Sequence, residues 1–248
     1  GMPGAVALPR TTAQVSQILA LCSRLNVPVV PSGGRTGLAG GVVAKPSELA
    51  LNLSRLHSIH DVSLLSRMVR VGAGAITENV HHACEAQGLT WPIDLASKGS
   101  CQIGGNLSTN AGGLRVIRYG PARKWVSSLE VVTMSGQVLE LNADLEKNNT
   151  GYDLLQLLVG SEGTLAVITQ ATLKLVKIPQ EVGKAVCFFA VDSLEGLPFL
   201  FESCRKGPFE ILAFEFFSQA CLNAVTAKLG RKSRLEKPGR YYVLAEIA

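Results

Sequence analysis

The stretch PSGGRTGLAGG, Pro31 to Gly41, follows the apolar run VPVV and carries five glycines and no acidic residue. A chain that leaves a strand and gives up its side chains does so where a turn needs φ > 0 or where a ligand must come close to peptide N–H groups. Phosphate is the ligand that such a bare backbone suits. Upstream, TAQVSQILALCSRLN sets Val15, Ile18, Leu19, Leu21, Cys22 and Leu25 near one helical face, with Thr12 as N-cap. VPVVP then reads as a buried strand that enters the loop. Downstream, LALNLS is a short strand, and RMVRVGAGAITENVHHACEAQGL reads as strand, glycine turn and helix, with Thr77 as cap and Gly88 just past the end. This is α/β alternation.

From VSSLEVVTMSGQVLEL the pattern becomes a hairpin turning at Ser135-Gly136, and GTLAVITQATLKLVKI adds a further β-rich run. Beyond Pro179 the segments GKAVCFFAV, LEGLPFLFESCRKG and FEILAFEFFS read as a separate α+β unit. The expected division is therefore residues 1–179 and 180–248.

With 248 residues, 47% hydrophobic and 17% charged, the chain can build one large or two modest cores, which excludes a disordered reading. The start GMPGAVALP lacks a signal peptide's basic opening and apolar run, and no stretch nears the ~20 apolar residues that a membrane helix takes. A cytoplasmic protein with no membrane span is expected. Six singly placed cysteines with no C-x-x-C read as buried thiols and leave no metal site to expect. The net charge of +5 gathers in GRKSRLEKPGR, Gly230 to Arg240, which reads as a solvated loop because no aromatic residues interleave with it. No nucleic-acid partner is expected.

Several motifs are decoys. VGAGAIT has Thr77 where a dinucleotide fingerprint needs its third glycine, and GSCQIGGN lacks the lysine of a P-loop. The pairs His57/His60 and His81/His82 read as surface or capping residues rather than ligands. Arg115, Arg118, Arg123 and Lys124 read as surface or phosphate-facing residues rather than a carboxylate clamp.

Three glycine-rich segments remain: PSGGRTGL (Pro31–Leu38), PIDLASKGSCQIGGNLSTNAGG (Pro92–Gly113) and NNTGYDLLQLLVGSEGTLAVIT (Asn148–Thr169). Together they ask for a large, extended ligand with phosphates and a flat heterocycle, with Asn106, Thr109 and Asn110 as further donors.

These segments, with the leader LPRTTAQVSQIL and the run DLASKGSCQIGGNLSTNAGGLRVIRYG, resemble the FAD-binding region of the vanillyl-alcohol-oxidase/PCMH-type flavoproteins. Within that family the chain is most similar to the group of D-2-hydroxyglutarate dehydrogenases, D-lactate dehydrogenases and glycolate oxidase flavin subunits. The resemblance implies an α+β fold: a PCMH-type FAD-binding domain of two α/β subdomains, followed by the start of an α+β cap domain. It also implies FAD-dependent oxidation of a D-2-hydroxyacid, with an electron-acceptor protein or quinone and a homodimer or partner subunit as allowed partners.

The implied cofactor residues in the first segment are Pro31, Ser32, Gly33, Gly34, Arg35, Thr36, Gly37 and Leu38. In the second they are Pro92, Asp94, Leu95, Ser97, Gly104, Gly105, Asn106, Thr109, Asn110, Gly112, Gly113, Tyr119 and Gly120. The third supplies Glu162, Gly163, Thr164 and Ile168. Tyr119 and Tyr152 are expected to pack near the cofactor. The first loop holds no His, so the FAD is expected to be non-covalent. Ala96 stands where the family often has Gly, which would cost on the order of 1 kcal/mol if that position needs φ > 0. The family's base and metal-binding histidines lie in a G-x-G-N-x-H-x-N-like run that these 248 residues do not contain. No catalytic residue is assigned, and the expectation is a flavin-binding part that works with a further segment or a partner chain.

Overall fold

The computed structural model describes residues 1–142, 148–178, 184–230 and 239–248. They form two compact units: Gly1–Gly113 with Pro121–Ile178, and Leu114–Gly120 with Pro179–Ala248. Pro179 and most of the basic stretch Gly230–Arg240 lie outside the described residues.

The first unit opens with β1 (Ala5–Ala7), α1 (Thr12–Leu25), β2 (Val29–Ser32) and β3 (Leu49–Asn52). The strands pair in parallel in the order β1-β3-β2, as the α1 crossover requires. Helix α1 is capped by Thr11, whose side chain accepts from the Gln14 N–H, one residue before the expected cap. Its buried stripe is Val15, Leu19 and Cys22, while Leu21 and Leu25 point outward. The apolar face is narrower than the pattern suggested because the helix rests on a hairpin along one line: Ser16 Oγ donates to the Gly136 carbonyl and Thr12 Oγ1 to Glu130.

The second sheet of this unit follows β4 (Met68–Gly72), α2 (Thr77–Glu85), β5 (Leu89–Thr90), α3 (Ile103–Ser108), β6 (Val126–Val132), β7 (Val138–Leu141), α5 (Leu154–Leu158), β8 (Val167–Lys174) and β9 (Val176–Lys177), while the four-residue α4 (Val116–Tyr119), between α3 and β6 in the chain, belongs to the second unit. It is antiparallel in the order β4-β8-β6-β7. The β6–β7 hairpin turns at Gly136, whose φ of 86° is the left-handed conformation that a tight hairpin turn asks of glycine. The buried faces of both sheets, α2 and α3 share one core, including Leu51, Val71, Val80, Trp91, Leu107 and Leu173. Trp91 satisfies its indole by donating to the Trp125 carbonyl.

The second unit contains β10 (Ala185–Val191), α6 (Gly196–Arg205), β11 (Ile211–Ser218), α7 (Gln219–Leu229) and β12 (Tyr241–Ile247), together with α4. Its antiparallel sheet runs β10-β12-β11. Leu197 of α6 packs on Val243 and Ala245 at one face. At the other, Phe188, Tyr242 and Phe217 stack with centroids 5.6 to 5.9 Å apart. Segment 114–120 is tied to this sheet by Arg115, which makes a bidentate pair with Glu246, and by Arg118 with Glu210. Both arginines are thereby engaged within their own unit.

Candidate cofactor site

Strand β2 delivers the chain to the first glycine loop through the buried Ser32. The next two glycines are there for packing. A Cβ on Gly34 would stand 2.0 Å from the Ser100 carbonyl oxygen, and one on Gly33 would stand 2.9 Å from Gln102 Oε1. The loop thus lies directly on the second segment. Arg35 then takes a left-handed φ of 54° and the chain opens. A Cβ on Gly37 or Gly40 would meet nothing within 4 Å. None of the main-chain N–H groups from Gly33 to Val42 donates a hydrogen bond to another described residue. Ten consecutive donors are therefore left without a partner among the described residues, a backbone suited to an anion.

The second segment enters through the buried Trp91-Pro92-Ile93 and closes on itself: a Cβ on Gly113 would lie 2.3 Å from the Asp94 carbonyl oxygen. Asp94 pairs with Lys98 at 2.9 Å. Helix α3 is pinned to the end of β4, where the Gly104 N–H donates to the Ala73 carbonyl and a Cβ on Gly104 would be 2.7 Å from that of Ala73. Gly105 faces open space.

The third segment is stitched to both of the others. Its Gly160 and Glu162 N–H groups donate to the Leu107 and Ser108 carbonyls at 3.0 and 2.8 Å, and Gly163 packs on Pro31. Glu162 and Gly163 take φ of 54° and 77°, the turn that permits these bonds. Glycine suits that conformation and Glu162 is strained by it, at a cost on the order of 1 kcal/mol.

The three segments surround one cleft. Of the expected cofactor residues, Pro31, Ser32, Gly33, Gly37, Gly104, Gly105, Thr109, Glu162, Gly163 and Ile168 line it. Gly34, Arg35, Thr36, Leu38, Pro92, Asp94, Leu95, Ser97, Asn106, Asn110, Gly112, Gly113 and Thr164 do not, and Tyr119 and Gly120 belong to the second unit. The three residues expected as donors all make internal hydrogen bonds, Asn106 and Thr109 as donors and Asn110 as an acceptor. Asn106 Nδ2 donates to Thr77 Oγ1 at 2.6 Å, Thr109 Oγ1 donates to the Gly105 carbonyl, and Asn110 Oδ1 accepts from the Arg123 N–H. Thr77 consequently does not cap α2, because its hydroxyl is turned toward Asn106 and the Cys101 carbonyl. Arg123 binds Gln156 and the Val159 carbonyl, and Tyr152 is almost fully exposed rather than packed.

Other sequence expectations are corrected by packing. Ala96 is not among the residues with positive φ, so the strain expected there does not arise. Gly72 and Gly74 face the Leu56 and Leu53 carbonyls at 2.1 Å from a would-be Cβ, which accounts for VGAGAIT without a nucleotide. His81 is buried rather than on the surface. Its pKa is lowered, by burial first and by the Lys98 charge, against the opposing pull of Asp94, Glu85 and a hydrogen bond to the Trp91 backbone. All six cysteines are free. Cys22, Cys84, Cys101 and Cys204 are buried, Cys187 is intermediate and Cys221 is exposed, and burial raises Cys84 to about 11.

Sequence reasoning missed part of the lining: Ala39 to Val42, Leu53, Ala73, Gln102, Ser108, Ala166 and Val167. Ala39, Gly40 and Gly41 were within the opening stretch and carried the same glycine signal. Leu53 and Ala73 had none, since strand ends meet a cleft only through tertiary packing. Gln102 is the polar addition: its side chain is buried and its Oε1 has no hydrogen-bond partner. Such an acceptor costs about 1–3 kcal/mol when nothing satisfies it. Among the described residues, the lining holds one carboxylate, Glu162, and no Lys, Arg, His or Cys. Free N–H groups, open glycines and an unsatisfied acceptor fit a pyrophosphate-bearing cofactor with donor groups of its own.

Comparison with known proteins agrees. Relatives include a D-2-hydroxyglutarate dehydrogenase of Xanthomonas citri pv. viticola, 45% identical over 99% of this chain and 51% of its own length. The mitochondrial D-2-hydroxyglutarate dehydrogenase of Danio rerio is 43% identical over 97% of this chain and 45% of its own. A putative mitochondrial D-lactate dehydrogenase of Schizosaccharomyces pombe is 40% identical over 96% and 45%. The chain spans about half the length of the curated relatives it matches. Among solved structures, alkyldihydroxyacetonephosphate synthase superposes with a TM-score of 0.74 at 19% identity, over 98% of this chain and 46% of that one, which shows the shared fold. No helix among the described residues is long and apolar enough to cross a membrane. The family described as FAD binding domain matches residues 3–142, more than half of the chain and including two of the three segments that build the cleft, and the protein belongs to that family.

Proposed function

We propose that this chain is the flavin-binding part of an FAD-dependent D-2-hydroxyacid dehydrogenase that converts a D-2-hydroxyglutarate-like substrate to its 2-oxoacid. The observation that carries the reading is the similarity, at 39 to 45% identity over nearly the whole chain, to proteins named D-2-hydroxyglutarate dehydrogenase. Bound FAD would supply the two-electron acceptor for the hydride leaving C2 of the hydroxyacid.

The chain's own residues bind and orient. The unpaired N–H groups of residues 33–42 receive the pyrophosphate, with Gly37, Gly40 and Gly105 leaving room for its approach. Glu162, an acceptor only when ionised, suits the ribose hydroxyls of the adenosine half. Ala73, Ala166, Val167 and Ile168 exclude water from one wall. Gly34, Asp94, Asn106, Asn110 and Gly113 shape the loops from behind. The cofactor is held non-covalently, since no His or Cys lines the cleft. We assign no catalytic base to any residue of the chain. An electron-acceptor protein or quinone and a homodimer or partner subunit complete the reading, in the cytoplasm, where six unpaired cysteines are at home. The mitochondrial relatives make the mitochondrion the competing compartment.

The putative D-lactate dehydrogenase among the relatives favours a second substrate reading, a lactate- or glycolate-type enzyme. The test begins with excess FAD, removal of the unbound fraction, a visible spectrum and chromatographic identification of the released cofactor. Stoichiometric FAD is expected, and FMN alone would contradict the assignment. Dye reduction by D-2-hydroxyglutarate, D-lactate and glycolate then ranks the substrates. Bound FAD without turnover would mark the chain as a flavin carrier that needs a further segment or partner.

A further inference from the structure

Gln102 is the residue just before α3, at its N-cap, yet its side chain makes no capping bond. Its backbone is fixed from two directions. It forms an antiparallel bridge with Ile76, and its carbonyl accepts the Asn106 N–H at 3.0 Å. The side chain therefore leaves a rigid base and packs against Gly33, its Oε1 2.9 Å from where a Cβ on that residue would stand. It lines the cleft, is more than nine-tenths buried, and its Oε1 meets no donor. A shielded acceptor held in place on a ligand cleft calls for a donor that the protein does not supply.

We propose that Gln102 is a positioning residue of the cofactor cleft, its Oε1 accepting a hydrogen bond from an N–H or O–H group of the bound dinucleotide. Pyrophosphate is excluded as the partner, because its oxygens are acceptors at neutral pH. The donor is a ring N–H or ribityl hydroxyl of the flavin half, or a ribose hydroxyl or amino group of the adenosine half. The inference rests on the FAD assignment and concerns a contact which that assignment does not name.

The test compares wild type with Gln102→Leu, similar in length and without polar atoms, by the Kd of FAD from fluorescence quenching and the urea midpoint of the apo protein. Riboflavin and ADP, competed against FAD, read the two halves separately. The variant is expected to keep or raise the apo midpoint, since an unsatisfied buried acceptor is removed, while the FAD Kd rises at least tenfold. A parallel loss for riboflavin places the donor on the flavin half, and one for ADP places it on the adenosine half. An unchanged FAD Kd in a folded variant overturns the proposal and leaves Oε1 to a structural water. Should Gln102→Leu fail to fold, Gln102→Asn, which draws the oxygen back by one methylene, is read in the same way. A wild-type protein that binds no FAD fails the cofactor assignment itself, an outcome distinct from failure of the Gln102 contact.

Discussion

Gly34 and Gly37 stand three residues apart in one loop, yet they answer different demands. At Gly34 a Cβ would drive into the Ser100 carbonyl at 2.0 Å, whereas at Gly37 it would meet nothing within 4 Å. The same division runs through the second segment, where Gly104 and Gly113 are packed and Gly105 is open. Packed glycines let one loop lie on another. Open glycines keep clear the space those loops surround. A glycine-rich motif is thus two devices in one, and a substitution reveals which device a given position serves: packed positions report on folding first, open ones on the ligand.

The largest effect is expected at the packed positions. Gly34→Ala forces the first two loops apart and should cost about 1–3 kcal/mol in stability, with loss of FAD binding as a consequence. Urea denaturation of the apo protein checks this, and a variant with wild-type stability would break the packed class. Gly113→Ala should cost a similar amount for the same reason, its Cβ falling 2.3 Å from the Asp94 carbonyl oxygen.

Gly105→Ala should move stability the other way. Gly105 lies inside α3 with an open side, so alanine should add about 0.5–1 kcal/mol while its methyl intrudes on the cleft and weakens FAD. A variant that gains stability and keeps full FAD affinity would show that the ligand does not approach this face.

Acid titration probes the wall behind the second segment. Burial depresses the His81 pKa, so the unfolded chain binds the extra proton first and stability declines as the pH falls below about 6.5. His81→Leu should therefore show a shallower loss of midpoint than wild type between pH 7.5 and 5.5. Equal slopes would mean that other groups carry the acid limb.

The smallest effect is expected at Ala96, which avoids the left-handed region. Ala96→Gly should leave FAD affinity unchanged and lower stability by about 0.4–1 kcal/mol through the added freedom of the unfolded chain. A gain in affinity would revive the strain that the observed backbone does not show.

The alternation of elements, the β6–β7 hairpin at Gly136 and the β-rich run after the third glycine segment were legible from the chain because each depends on neighbours in sequence. So was the identity of the three segments, since their glycines cluster locally. What the chain did not reveal was which atoms a distant segment would meet. Thr77 looked like a cap until Asn106 claimed its hydroxyl, which takes up one N–H of Asn106 as well. His81 looked superficial because a single helix does not show what covers it. Segment 114–120 looked continuous with the second loop until Arg115 paired with Glu246, 131 residues away.

By itself, then, the sequence determined the local grammar of the protein: where the backbone turns, where it is stripped of side chains, and which three segments are rich in glycine. Tertiary structure alone decided which glycines are packed and which are open, which polar groups are consumed by the fold, and that Gln102 is left with an unanswered acceptor. The physical reason is one of range. Periodicity and turn chemistry are set by bonds and dihedrals a few residues apart, whereas a polar atom's partner and a glycine's clearance are set by whichever chain segment packs against it.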